Sequence, residues 1–158
     1  MLKKHLFNFS IVILIFIIDR ISKLLAINFL DTYGEYGFKV TSFLNFNLIW
    51  NEGIAFGLLS FDQKLYYNFL TIIIILVTII ILLMIIKTKG LEKIAFMMIF
   101  GGSLGNIFDR LVYASVPDFI DLHFNNFNWF IFNVADIFIS VGVILLIYYE
   151  FFKKRTNE

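Results

Sequence analysis

Four long apolar segments divide the chain, with polar and aromatic stretches between them. The clearest runs from Leu65 to Ile86, where Thr71 to Ile86 is nearly continuous aliphatic sequence without a charge. A helix that crosses a bilayer needs about 20 mostly apolar residues, and this segment has that length. Three others are as long but less pure. Leu6–Leu30 is interrupted by Asp19, Arg20 and Lys23, and Leu91–Val112 carries Asn106, Asp109 and Arg110 towards its end. Asn133–Phe152 has Asp136 near its start and Glu150 near its end. An ionisable group at a helix centre costs about 2.5–3.5 kcal/mol on insertion scales, so these groups need partners, water or an interface. The pattern predicts a membrane all-α fold with four transmembrane helices, at about 6–30, 65–86, 91–112 and 133–152, in a single domain over 1–158. Lys3 and Lys4 precede the first segment as in a signal peptide. No small-residue cleavage site follows, and Asp19-Arg20 breaks the apolar run, so a retained helix is expected.

The segment 31–64 reads differently. Phe38, Val40, Leu44, Phe46 and Leu48 alternate imperfectly with polar neighbours, the period of strands. Asn51-Glu-Gly-Ile-Ala-Phe-Gly57 has the composition of a turn or close-packing loop. A small β-sheet on the membrane surface is predicted, with Trp50 and the Phe/Tyr cluster at the interface. Tyr113–Trp129 reads as a short connection rich in Asn and aromatic residues.

Composition agrees with a membrane protein: 60% of the 158 residues are hydrophobic and 16% are charged, against about 25% charged in soluble domains. A net charge of +1 gives no reason to bind nucleic acid. The absence of cysteine removes disulfides, thiolate metal sites and a cysteine nucleophile. Lys3 and Lys4 precede the first span, Lys87, Lys89 and Lys93 lie around the second connection, and Lys153, Lys154 and Arg155 follow the fourth span. The remaining connections hold only Lys39 and Lys64. The positive-inside rule then places both termini in the cytoplasm and 31–64 outside it. In that topology Asp19, Asp109, Arg110 and Asp136 gather towards the outer leaflet, beside Asp118 and Asp121 in the outer connection.

Each of these groups has a bland reading. Asp19 and Lys23, four apart, can neutralise one another on a helix face. Asn106, Asp109 and Arg110, after the small residues of Gly101-Gly-Ser-Leu-Gly, can be a packing seam ending in a salt bridge. Asn133 and Asp136 resemble a helix cap, and Asp118 and Asp121 can be solvated loop residues. Together they suggest more. Two neighbouring carboxylates in a low-dielectric site share a proton. One can activate water while the other protonates a carbonyl oxygen, with no metal or cofactor. No Gly-x-Ser-x-Gly or His-Glu-x-x-His motif offers another chemistry. These arguments do not single out which two aspartates form the pair.

Asp19-Arg-Ile-Ser-Lys23, Asn51-Glu-Gly-Ile-Ala-Phe-Gly57, Gly101-Gly-Ser-Leu-Gly-Asn-Ile-Phe-Asp-Arg110, Val116-Pro-Asp-Phe119 and Phe132-Asn-Val-Ala-Asp136 together resemble the lipoprotein signal peptidase (signal peptidase II) family in order and spacing. The resemblance covers nearly the whole chain. It implies an aspartic endopeptidase of the bacterial cytoplasmic membrane that removes signal peptides from diacylglyceryl-modified prolipoproteins. It implies that Asp118 and Asp136 are catalytic. Asp19, Lys23, Asn51, Gly53, Asn106, Asp109, Arg110, Asn133 and Ala135 would then support them or contact substrate. No cofactor or metal is implied; the partners would be prolipoproteins and membrane lipids, and a monomer is expected. Two features depart from the family pattern: Pro117 stands where an aliphatic residue is common, and Trp129-Phe-Ile-Phe-Asn133 lacks a common proline. Both concern loop shape beside the pair. The alternatives are a small ion- or proton-coupled transporter, whose relay would use intramembrane carboxylates, and an assembly subunit joined through Gly101 and Gly105.

Overall fold

The computed structural model describes residues 2–30, 37–53, 63–124 and 127–156. Among these residues four helices and four strands follow in the order α1 (Leu2–Leu30), β1 (Phe38–Lys39), β2 (Leu44–Asn51), α2 (Gln63–Lys87), α3 (Gly90–Tyr113), β3 (Val116–Phe124), β4 (Phe127–Phe132) and α4 (Val134–Thr156). Residues 54–57 of the glycine-rich stretch lie outside the described residues.

Among the described residues, three helical stretches are long and apolar enough to cross a membrane: Leu65–Lys87, Gly90–Tyr113 and Val134–Phe152. At 29 residues α1 is longer, but Asp19, Arg20 and Lys23 lie together within it and keep it out of that set. The helices are inside-out relative to a soluble bundle. In α2, Tyr67, Thr71 and Thr78 are buried, while Ile72, Ile73, Leu76, Val77, Ile79 and Ile80 are exposed. The two threonine hydroxyls donate to the carbonyls of Tyr67 and Ile74, one turn back, at 2.9 and 2.8 Å. In α1 the buried stripe is Ile15, Asp19, Lys23, Ala26 and Leu30, while Ile17, Ile18, Ile21, Leu24 and Leu25 face outward. Only an apolar surrounding makes that arrangement favourable, because in water the exposed aliphatics would be the residues to hide.

The central helix is α3, which packs against α1, α2 and α4. Its glycines set how closely the neighbours come. A Cβ at Gly101 would sit 3.0 Å from Ile15 of α1, and one at Gly105 would meet the Asp19 carboxylate. A Cβ at Gly102 would fall 2.6 Å from the Ala135 carbonyl oxygen and 2.8 Å from Ile139 Cγ1 of α4. Gly102→Ala should therefore push α4 away where its first turn begins, at a cost of about 1–3 kcal/mol. A lower midpoint of thermal unfolding in detergent is expected, and a midpoint equal to that of the parent protein would refute this account of the seam.

The sheet closes the end of the bundle where α1 and α3 finish and α4 starts. Its order is β1-β2-β3-β4, antiparallel throughout. Strands are indeed present within 31–64, but the alternating run does not form one strand. Thr41 Oγ1 accepts hydrogen bonds from the backbone N–H groups of Phe43 and Leu44 at 3.2 and 3.0 Å, turning the chain between β1 and β2. The larger difference is at 113–129. Instead of a plain connection it supplies β3 and the start of β4, which complete the sheet. Asp118 and Asp121 are thus strand residues. Isolated strand pairs are marginal in water; here β3 is stabilised by lying between β2 and β4. Phe119 of β3 packs with Ala26 and Leu30 of α1, with Phe46, Leu48, Ile120 and Val134 around them, and ties the sheet to the helices.

Candidate active site

Asp118 is 4% exposed and stands opposite Ile49 of β2. Its Oδ2 accepts a hydrogen bond from Asn51 Nδ2 at 2.8 Å, and its Oδ1 accepts one from Asn133 Nδ2 at 2.6 Å. Asp136 lies in the first turn of α4. Its Oδ1 accepts from Asn106 Nδ2 at 2.8 Å and its Oδ2 accepts from the Asn133 backbone N–H at 3.1 Å. The Asp136 backbone N–H returns a bond to Asn133 Oδ1 at 3.1 Å. The cap expected from the sequence is therefore present, with reciprocal bonds between Asn133 and Asp136. Capping leaves the Asn133 amide N–H and the second Asp136 oxygen unused, and these reach Asp118 and Asn106. Asn133 is thus hydrogen-bonded to both carboxylates.

The three amides can point only one way. Asn51 Oδ1 accepts from the Gly53 backbone N–H at 2.7 Å. Asn133 Oδ1 accepts from the Asp136 N–H, and Asn106 Oδ1 accepts from Lys23 Nζ at 2.8 Å. Backbone N–H and ammonium groups are donors only. Each amide must turn its oxygen to that donor and its NH2 to a carboxylate. Among the described residues, the hydrogen-bond donors to Asp118 and Asp136 are neutral amides and a backbone N–H. Burial pushes the Asp118 carboxyl above its ordinary value; the Asn51 and Asn133 bonds oppose this, the Asp136 charge adds to it, and Lys23 opposes it.

Beneath this pair lies a buried ionic cluster. Lys23, only 1% exposed, meets Asp19 at 3.0 Å and Asp109 at 2.7 Å. Asp19 Oδ1 also accepts the Ala135 backbone N–H at 3.0 Å, tying α1 to the first turn of α4. Arg20, not among the sequence-derived site residues, meets both acids, at 2.7 Å to Asp19 and 2.5 Å to Asp109. Charge balance could have pointed to it: Asp19 and Asp109 are two acids, and Lys23 alone leaves one uncompensated in an apolar surrounding.

Arg110 does not join Asp109. Its guanidinium lies 5.4 Å from the centre of the Tyr67 ring, and the Tyr67 hydroxyl donates to the Arg110 carbonyl at 3.2 Å. The neighbouring charges Asp109 and Arg110 therefore part, Asp109 turning to α1 and Arg110 to α2. Gly53, at φ +76°, completes this corner. That backbone conformation favours glycine, and a Cβ there, 2.7 Å from Leu70 Cδ2 and 3.1 Å from Arg110 Nη1, would displace the ends of those two side chains. Ala135 is fully buried, its carbonyl under Gly102. Asp121 is away from this site, paired in register with Asn45 and Ile131. Pro117 is buried opposite Trp50, and the ladder continues on either side of it. The proline-free run before Asn133 forms β4. Both departures are thus absorbed into extended backbone, which suits proline's fixed φ in the first case.

Comparison with known proteins agrees over nearly the whole chain. A family model described as signal peptidase (SPase) II, Peptidase_A8, matches residues 11–152. A protein named lipoprotein signal peptidase from Pelagibacter ubique is 48% identical over 159 residues, covering 99% of this chain and 96% of that one. One of the same name from Francisella tularensis is 40% identical, with 99% of each chain covered. A solved bacterial membrane enzyme superposes with a TM-score of 0.75 at 30% identity, covering 96% of this chain and 90% of that chain.

Proposed function

The chain belongs to the signal peptidase II family, and from that premise we propose that it cleaves signal peptides from diacylglyceryl-modified prolipoproteins by an aspartic mechanism at Asp118 and Asp136. Membership makes it a membrane-embedded peptidase of prolipoproteins. The finer reading has α1 as a fourth span, both termini cytoplasmic, and residues 1–158 acting as one monomeric domain in the bacterial inner membrane. The scissile bond is then presented near the outer leaflet, under the sheet. The observation that carries the mechanism is the double attachment of Asn133, which joins both carboxylates through one residue.

Asp118, with its raised pKa, is assigned the proton, and Asp136 acts as the base. Asp136 takes a proton from water as the water oxygen bonds to the scissile carbonyl carbon. Asp118 gives its proton to the carbonyl oxygen. The tetrahedral intermediate then collapses, the C–N bond breaks, and the leaving nitrogen takes the proton from Asp136 while Asp118 recovers its own. Asn51, Asn106 and Asn133 hold the carboxylates in position through these steps.

The decisive experiment incubates purified protein with a diacylglyceryl-modified prolipoprotein and with its unmodified form, with and without chelator. Cleavage of the modified form alone, insensitive to chelator, is expected; cleavage of both forms alike would remove the lipid requirement, and chelator sensitivity the metal-free mechanism. A pH series tests the proton assignment. The rate should fall as pH rises through the raised pKa of Asp118, because the proton donor is lost. Stability should fall in the same direction. Between the ordinary carboxylate range and the raised value, the folded protein keeps a proton that the unfolded chain has released. A cleavage rate that keeps rising through neutral and alkaline pH would contradict the assignment.

A further inference from the structure

Arg20 makes more polar contacts than the clamp between two helices requires. Its Nη1 and Nη2 donate to Asp109 Oδ1 and Oδ2 at 2.5 and 2.8 Å. Its Nη2 and Nε donate to Asp19 Oδ2 at 2.7 and 3.3 Å, and Nη2 also reaches the Gly105 carbonyl at 3.4 Å. The guanidinium lies 4.8 Å from the centre of the Phe108 ring and 5.9 Å from that of Phe16, so one ring from each helix lies against it. Two routes then lead to Asp136. On Asp19, Arg20 takes Oδ2, and Oδ1 is left for Lys23 and for the N–H of Ala135, the residue before Asp136. On Asp109, Arg20 shares the carboxylate with Lys23, which fixes Asn106, which donates to Asp136.

We propose that Arg20 is a positioning residue for the Asp118/Asp136 pair: by taking the outer sides of Asp19 and Asp109 and balancing their charge, it holds Lys23 and Ala135 where they orient Asn106 and Asp136. The inference rests on the reading of Asp118 and Asp136 as the reacting pair. Among the described residues, the titratable groups around that pair are Asp19, Arg20 and Lys23 from α1 and Asp109 and Arg110 from α3, with the Tyr67 phenol from α2 and Glu52 next to Asn51 at the end of β2. With Arg20 present the α1–α3 cluster is neutral. Without it the cluster carries one net negative charge, which favours protonated carboxyls nearby.

The test measures kcat and KM against pH on purified, folded Arg20→Gln and Arg20→Lys, beside Asp118→Asn and Asp136→Asn, with a diacylglyceryl-modified prolipoprotein. In Arg20→Gln, both limbs of the pH profile should move to higher pH, and kcat should fall about tenfold or more with KM within about twofold. Arg20→Lys keeps the charge and loses the planar fork, so the limbs should stay in place while kcat falls. A merely structural clamp lowers the yield of folded protein and leaves both the limbs and kcat per folded molecule unchanged; that result overturns the proposal. If Arg20→Gln does not accumulate, Arg20→Lys decides alone, and a kcat equal to that of the parent protein overturns it. Cleavage by the two aspartate variants would overturn the reacting pair and this inference with it. Inactive aspartate variants with unmoved limbs in Arg20→Gln would overturn this inference only.

Discussion

Asp118→Asn or Asp136→Asn should lower the cleavage rate on the order of 10⁴-fold, as loss of one member of a catalytic constellation does elsewhere, while the protein still inserts. The reason is chemical: an amide neither accepts the water proton nor supplies a proton to the carbonyl oxygen. There is a smaller structural effect. Both oxygens of Asp118 accept from NH2 groups whose orientation is fixed, so the new amide NH2 must face another NH2. The same conflict arises at Asp136 between Asn106 and the Asn133 N–H. A buried donor left without an acceptor costs about 1–3 kcal/mol, so rates must be referred to the folded fraction. Cleavage of an acylated prolipoprotein at the parent rate by either folded variant would end the two-aspartate mechanism.

Lys23→Met should have the largest effect on stability. It removes one cation from two buried acids and leaves Arg20 to balance both. Breaking a buried ion pair from one side costs about 3–5 kcal/mol. It also frees Asn106, whose oxygen no longer has the ammonium that orients it, so the NH2 facing Asp136 is no longer assured. Stability and activity should then separate in a second variant. Lys23→Met combined with Asp109→Asn restores charge balance with Arg20 and Asp19, and part of the lost thermal stability should return. Activity should not, because nothing replaces the donor to Asn106. Thermal unfolding in detergent together with cleavage per folded molecule measures both. Recovery of cleavage along with stability would show that Lys23 acts through charge alone.

The bland and functional readings of several residues prove compatible. Asn133 and Asp136 form the helix cap that their spacing suggested, and the atoms left over from the cap make the cross-links to Asp118 and Asn106. Asp19 and Lys23 do pair, but as half of a four-member cluster closed by Arg20 and Asp109. The seam at Gly101, Gly102 and Gly105 is a packing feature, and by bringing α1 and α4 against α3 it also brings the charged groups together.

By itself, the sequence determined the helices, because long apolar runs are a local property that needs no partner to be visible. It also determined the cap at Asn133, a matter of three-residue spacing, and the set of motifs shared with the family. What the tertiary structure decided were the relations between distant segments. That 113–129 becomes strand depends on lying between β2 and β4, which its own composition does not encode. That Arg110 parts from Asp109 depends on α1 and α2 packing on different sides of α3, so one residue of helical rotation sends each to a different neighbour. The role of Arg20 appears only when Asp19 and Asp109, on separate helices, are seen to share one guanidinium. Charges in an apolar surrounding must find partners wherever the fold places them, and that placement is a property of the assembled bundle.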